Sequence, residues 1–271
     1  MSKIGTNQMA VNAQKAQQQI QRQMTKIMEK LSTGQRINKP NDDPAGLSIS
    51  TKMTAQIRGF QAAAKNINDA IAMVQTVDGA LGEQITLLQR MRELAVQSST
   101  DTFSAADRSM METEYDELVS ELDRIADETK WNTLAVGGAT GFIIQVGADK
   151  DMDIVYTSPD MDNLVTVTAP ADTSVVSQAS ASGAITTIDA DIATVNTNRA
   201  KAGAYLTRFE GALDNALEMA QNLTDTRSRI LDTDYAMELA ELAKFQIMQQ
   251  AVNAMMAQAN AAPSAVLAML Q

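Results

Sequence analysis

Asp149, Asp151 and Asp153, followed by Asp160, are the residues in this chain whose type and spacing come nearest to a chemical site. Acidic oxygens alternating over twelve positions form the pattern of a calcium loop, which also needs Gly at its sixth place and a reaching Glu at its twelfth. Here the sixth place is Ile154 and the twelfth is the shorter Asp160, so the segment reads instead as an acidic, solvated hairpin tip. Asp42 and Asp43 could act as paired acid/base carboxylates. Pro44 directly after Asp43 points to a helix cap with proline at the first helical position. Gly46-Leu47-Ser48-Ile49-Ser50 lacks the second glycine of a nucleophile elbow, and no G-x-x-x-x-G-K phosphate loop occurs. The chain has no Cys and no His, which removes thiolate chemistry, His-based proton transfer, the usual zinc sites and disulfides. No catalytic, cofactor-binding or metal site is expected, and the chain does not read as an enzyme.

The composition speaks for long helices: aromatics are 4% of 271 residues, and Met, Ala and Gln are abundant. A net charge of −11 repels phosphate backbones and anionic bilayers, so neither nucleic acid nor a membrane is an expected partner. The N-terminal stretch is rich in Asn and Gln and has no apolar region of the kind a secretory signal carries.

From Phe245 to Gln271 there is no Asp, Glu, Lys or Arg, while Phe245, Met248, Val252, Met255, Ala259, Ala262, Val266 and Met269 recur at helical 3,4 spacing. So narrow a seam returns less than the cost of ordering the segment, which predicts an end that becomes ordered when other chains cover it. Near the start, Met9, Ala13, Ala16, Ile20, Met24, Ile27 and Leu31 form a similar stripe. Lys3, Lys15, Arg22, Lys26 and Lys30 face only Glu29 in that segment, whereas Asp232, Asp234, Glu238 and Glu241 precede the C-terminal seam. Complementary stripes and charges predict that the two ends pair as helices.

Gly34 and Pro40 break the pattern between Ser32 and Asp43 and mark a connector. From Pro44 a helix of roughly 80 Å is predicted to run to Ser98. Its register is held by Ile57, Phe60, Ala64, Ile67, Ile71, Val74, Leu81, Ile85, Leu88 and Ala95, with Asp78 and Arg92 as polar exceptions. Ser104 and Asp107 form a capping box for a second helix. Phe142 to Val146 and Asp153 to Thr157 predict a hairpin, with a further short strand near Leu164 to Thr168. Residues 169–183 read as a surface loop. From Ile185 a returning helix carries Ile188, Ile192, Val195, Arg199, Ala202, Leu206, Phe209, Leu213, Ala216, Ala220, Leu223, Arg227 and Ile230. The fold class is mainly α, a long antiparallel coiled-coil rod with a small β-hairpin region.

Several of these stretches together resemble bacterial flagellin. Leu31-Ser-Thr-Gly-Gln-Arg-Ile-Asn38, Asp42-Asp43-Pro44-Ala45-Gly46-Leu47, Met53 to Gly59, Gly79 to Glu83 and Leu88 to Gln97 are similar to the family's N-terminal signature. Arg227 to Ile230, Asp234 to Ala236, Gln246 to Gln250 and Ala257 to Asn260 are similar to its C-terminal one. The resemblance spans roughly residues 1–145 and 185–271. It implies an inner layer, D0, made by residues 1–43 and 233–271. An outer layer, D1, would take residues 44–184, which include the β-hairpin and loop, and the helix 185–232. With only about 50 residues between hairpin and returning helix, a minimal D0/D1 subunit and a thin, smooth filament are expected.

The function so implied is that of a structural subunit polymerising into the extracellular flagellar filament for motility, exported unfolded by the flagellar type III apparatus. The implied partners are further copies of the chain, an export chaperone at the C-terminus, and the filament cap and hook-junction proteins. The Toll-like receptor that senses flagellin is a further implied partner, through Gln89, Arg90, Leu94, Gln97 and Glu114. A hook-filament junction protein shares flagellin-like ends but not the complete paired signatures. A type III-secreted coiled-coil binding module would lack the Asp-Asp-Pro-Ala-Gly connector, and a protease-bearing flagellin would need a His-containing insert.

Overall fold

The computed structural model describes residues 7–161, 163–164 and 174–268. The described residues form five helices: α1 (Gln8–Thr33), α2 (Pro44–Ser98), α3 (Ala105–Glu128), α4 (Gln178–Leu231) and α5 (Tyr235–Ala268). Four short strands lie between α3 and α4: β1 (Lys130–Trp131), β2 (Leu134–Ala135), β3 (Gly141–Gln145) and β4 (Asp153–Thr157). The fold is mainly α with a small antiparallel β region, as the patterning predicts. The chain divides into two compact units, residues 1–55 with 222–271, and residues 56–221.

In the unit made by the ends, α1 and α5 pack antiparallel. The Asn7 side chain accepts from the Ala10 amide at 3.1 Å and so starts α1. Gly34 stops it, with a φ of 70° that a side chain would strain and its amide bonded to the Lys30 carbonyl. Two connectors are then laced together. The Arg36 amide donates to the Leu231 carbonyl at 2.7 Å, and the Thr233 amide to the Gly34 carbonyl at 3.0 Å. The Asp43 carboxylate accepts from the Ala45 and Gly46 amides at 3.1 and 3.0 Å and starts α2 at Pro44. Asp234 does the same for α5, accepting from the Ala236 and Met237 amides. Short side chains with carboxylate oxygens suit these positions because the first helical amides have no partner within the helix.

In the unit of residues 56–221, α2 buries Ile57, Phe60, Ile67, Val74, Val77, Leu81, Leu88, Met91 and Leu94. α3 begins with the reciprocal Ser104–Asp107 capping box that the spacing predicts. The two polar exceptions on α2 find opposite charges on α4: Arg92 meets Asp189 at 2.7 Å and Asp78 meets Arg199 at 2.9 Å. Rising numbers on one helix match falling numbers on the other, so the pair is antiparallel.

The hairpin forms where alternation places it, with Phe142 opposite Tyr156 and Ile144 opposite Ile154. It docks on α4 through aromatic contacts: the Tyr156 ring meets Tyr205 edge-on at 5.0 Å and lies 6.5 Å from Phe209. Burial pushes the Tyr156 hydroxyl up to about 12. Its turn reaches α2 at Gly59, where a Cβ would sit 2.8 Å from the Ala148 methyl.

Several expectations need correction. α4 starts at Gln178 rather than near Ile185, because Ser177 and Ser180 exchange capping hydrogen bonds and the small Ala181 and Ala184 are fully buried. The surface-loop reading fails at Val175 too. It is fully buried, its carbonyl accepting from Ser98 and its amide donating to Glu112 at 2.5 Å.

On α4 the positions seven apart, Ile188, Val195, Ala202, Phe209 and Ala216, are buried as read, but Asp191 and Asn198 turn inward in place of Ile192 and Arg199. A heptad fixed at one position leaves its companion three or four residues on undecided, and the Arg199–Asp78 pair draws Arg199 to the rim. On α2, Val77, Gln84 and Met91 are buried, while Ile71 and Ile85 are half-buried. The strand read near Leu164 to Thr168 lies outside the described residues except for Leu164, which is buried in no strand. β1 and β2 escape the sequence reading: two residues each, they turn through Asn132 and Thr133 at φ 45° and 70°.

Candidate assembly surfaces

The seam between α1 and α5 is set by their antiparallel register. The Asn7 amide group donates to the Ala259 carbonyl at 2.7 Å, Gln17 to Asn253 at 3.3 Å, and Lys30 pairs with Glu238 at 2.6 Å. Ile20, Ile27, Val252 and Ala259 are buried in it. Ala13, Ala16, Met24, Leu31, Phe245 and Met248 are half-buried.

Two seam residues do not behave as read. Met9 is 72% exposed, at the end of the pair where Ala259 offers only a methyl. Met255 is 57% exposed, and its neighbour Met256 takes the inward place, half-buried between Val252 and Ala259. Adjacent Met residues are indistinguishable in a 3,4 pattern, so spacing alone could not decide between them. The side chain of Val266 lies outside the described residues.

Charge complementarity contracts to one cross-helix ion pair among the described residues. Glu238 is 6% exposed; one carboxylate oxygen meets Lys30, and the other is buried without a donor. Lys39 is raised above its ordinary value by Glu29, a pair local to the connector.

Beside the seam, α5 carries a second apolar stripe. Met237, Ala240, Ile247, Ala251 and Met255 recur at 3 to 4 and 7 residue spacing, interrupted only by Lys244, and all are exposed. A groove of about 530 Å³ also opens along the helix pair, lined by Ala16, Gln19, Ile20, Arg22, Phe245 and Met248 among others. Ala16 is too short to fill the space left beside Phe245 and Met248.

A polar face lies in the other unit. Gln89, Arg90 and Gln97 are exposed along α2, and Glu114 is exposed on α3. The Arg90 guanidinium donates to one Glu114 oxygen at 2.6 and 2.9 Å and to Glu93 at 3.1 Å, hydrogen bonds that raise it further above its ordinary value. Leu94, grouped with these residues by the resemblance, is only 2% exposed and underlies the face instead of adding to it. Glu93 is the residue that the sequence reading passed over.

The acidic candidates do not assemble into a site. Asp149, Asp151 and Asp153 are exposed around the hairpin turn, with Asp151 at φ 65°. Among the described residues no group of three or more carboxylates is placed to hold a metal ion. No described helix is long and apolar enough to cross a membrane.

Residues 4–136 match the bacterial flagellin N-terminal helical region, and residues 185–270 the bacterial flagellin C-terminal helical region. The chain is 40% identical to a flagellin of Halalkalibacterium halodurans, over 99% of each. It is 38% identical to a flagellar filament 30.7 kDa core protein of Treponema maltophilum over 90% of each, and 37% identical to a flagellin of Bacillus subtilis over 91% and 92%. The crystal structure of Bacillus cereus flagellin superposes with a TM-score of 0.51 at 30% identity, covering 56% of this chain and 88% of that one.

Proposed function

From the premise that this chain belongs to the bacterial flagellin family, we propose that its end helices α1 and α5 carry the polymerisation contacts. The chain is a structural subunit of the extracellular flagellar filament and polymerises with copies of itself. The end-helix pair corresponds to the inner D0 layer and the long helices with the hairpin to D1. The observation that supports this most is the second α5 stripe, apolar and exposed although α1 covers the first. Ile247 and two Met residues held in water give up free energy that burial against a neighbouring copy recovers, about 1.5–3 kcal/mol each. The chain has no catalytic role, travels unfolded through the type III apparatus with a chaperone on its C-terminal end, and meets cap and hook-junction proteins at the filament's two extremes.

Deleting everything after Lys244 removes Ile247 and Met255 together with Val252 and Ala259. The truncated chain is expected to keep most of its helical circular dichroism and to form no filaments in seeded polymerisation. Filaments of that truncation in electron micrographs would overturn the assignment.

The monomer is also a ligand of the Toll-like receptor that senses flagellin, through Gln89, Arg90, Gln97 and Glu114, with Leu94 beneath them. The exposed, doubly paired Arg90 supports this, since its guanidinium is already oriented at the surface. Purified monomer is expected to activate a receptor-reporter cell line, and the Arg90→Ala variant to require about tenfold more protein, the loss of one charge-assisted contact. A silent reporter with the unaltered monomer would overturn it.

A further inference from the structure

Four methionines of the end-helix unit stand in solvent: Met9 (72% exposed), Met28 (51%), Met237 (64%) and Met255 (57%). Met237 and Met255 belong to the unpartnered α5 stripe, and Met9 and Met28 to α1. By contrast, Met73, Met91 and Met161 are at most 4% exposed. Exposure decides which thioethers an oxidant reaches, and a sulfoxide turns a flexible apolar side chain into a polar one. The chain has no Cys to intercept the oxidant first.

We infer that Met9, Met28, Met237 and Met255 are a redox-modification site that controls polymerisation: sulfoxide formation in the monomer blocks assembly, and reduction restores it. The inference rests on the end helices being the polymerisation surface. In the chemical step a sulfur lone pair attacks one oxygen of hydrogen peroxide. The O–O bond breaks, an S–O bond forms, the departing hydroxide takes up a proton as water, and the sulfur is oxidised by two electrons. The modification is confined to the free chain, because neighbouring copies cover the same sulfurs in the filament. Reversal needs a dithiol-driven methionine sulfoxide reductase pair, one enzyme for each epimer.

The test treats full-length monomer with hydrogen peroxide and maps sulfoxides by peptide mass spectrometry. Seeded elongation is then followed by light scattering. The four named methionines should oxidise before Met73, Met91 and Met161, elongation should slow about tenfold or more, and the reductase pair should restore it. A variant with all four replaced by Leu should elongate equally before and after peroxide, whereas one with Leu at Met110, Met152 and Met219, exposed in the other unit, should remain sensitive. Peroxide footprinting of finished filaments of the unaltered chain supplies the reading if the fourfold variant fails to assemble: the four sulfurs should be protected relative to the monomer. Undiminished elongation of fully oxidised monomer, equal sensitivity of the fourfold variant, or unprotected sulfurs in the filament would each overturn the inference. If the truncation after Lys244 abolishes filaments while oxidation has no effect, only the redox control falls. If the truncated chain still assembles, the assembly reading falls with it.

Discussion

At Gly137 there is no room for a side chain: a Cβ would lie 1.9 Å from the Ala126 carbonyl oxygen, in the last turns of α3. Backbone cannot swing aside as a flexible side chain does, so Gly137→Ala should cost about 1–3 kcal/mol, the range for overpacking. The neighbouring Gly138 meets nothing within 4 Å, and Gly138→Ala should leave stability nearly unchanged. Thermal melts followed by circular dichroism should show a drop of several degrees for the first variant and about a degree or less for the second. Equal melts would mean that α3 and the following turn are not held as tightly as this contact requires. Nothing in the Gly137-Gly138 pair tells a reader of the sequence which glycine is needed. That difference resides in the approach of Ala126, eleven residues earlier, just as the need for Gly59 resides in Ala148.

At the level of elements, long helices were legible because their apolar positions repeat for many turns. Ile188, Val195, Ala202, Phe209 and Ala216 recur every seven residues, and no local preference competes with them. Legibility failed where two neighbours were equally apolar, as with Met255 and Met256, or where an Asp or Asn was buried in place of Ile192 and Arg199. It failed again where the buried residues were too small to register, as with Ala181 and Ala184 at the start of α4.

The ion pairs and the α3 capping box have a pH signature. Asp189 is held below its ordinary 3.8 by the hydrogen bond from Arg92, Asp107 likewise by Ser104, and Glu121 below 4.5 by Arg124. A depressed carboxylate contributes stability above its unfolded value and loses it as the pH falls through the folded value. Melting midpoints should therefore be level between about pH 5 and 7 and decline below about pH 4. Asp107 and Asp189 are exposed and the Glu121 side chain is 42% exposed, so each contribution is small. A midpoint unchanged down to about pH 2.5 would contradict the sign of these shifts.

On the scale of the whole chain, the family is legible because its signatures lie in the capped connectors, along α2 and in the C-terminal seam. Gly34, Asp43 and Asp234 are the residues that stop one helix and start the next. Less legible was what the end helices present outward, since a second stripe beside a first resembles one broad apolar face until packing divides them.

Most of that packing is permissive. A seam of Ala, Met, Val and Ile would accept α5 slid along α1 by a turn or more with little change in buried area, and Met adapts to either fit. Glu238 does not permit it. Its carboxylate has a single donor, Lys30, so any slip strands a negative charge in a dry place. The end-helix pair thus carries a charged key that admits one register, beside the polar contacts of Asn7 and Gln17.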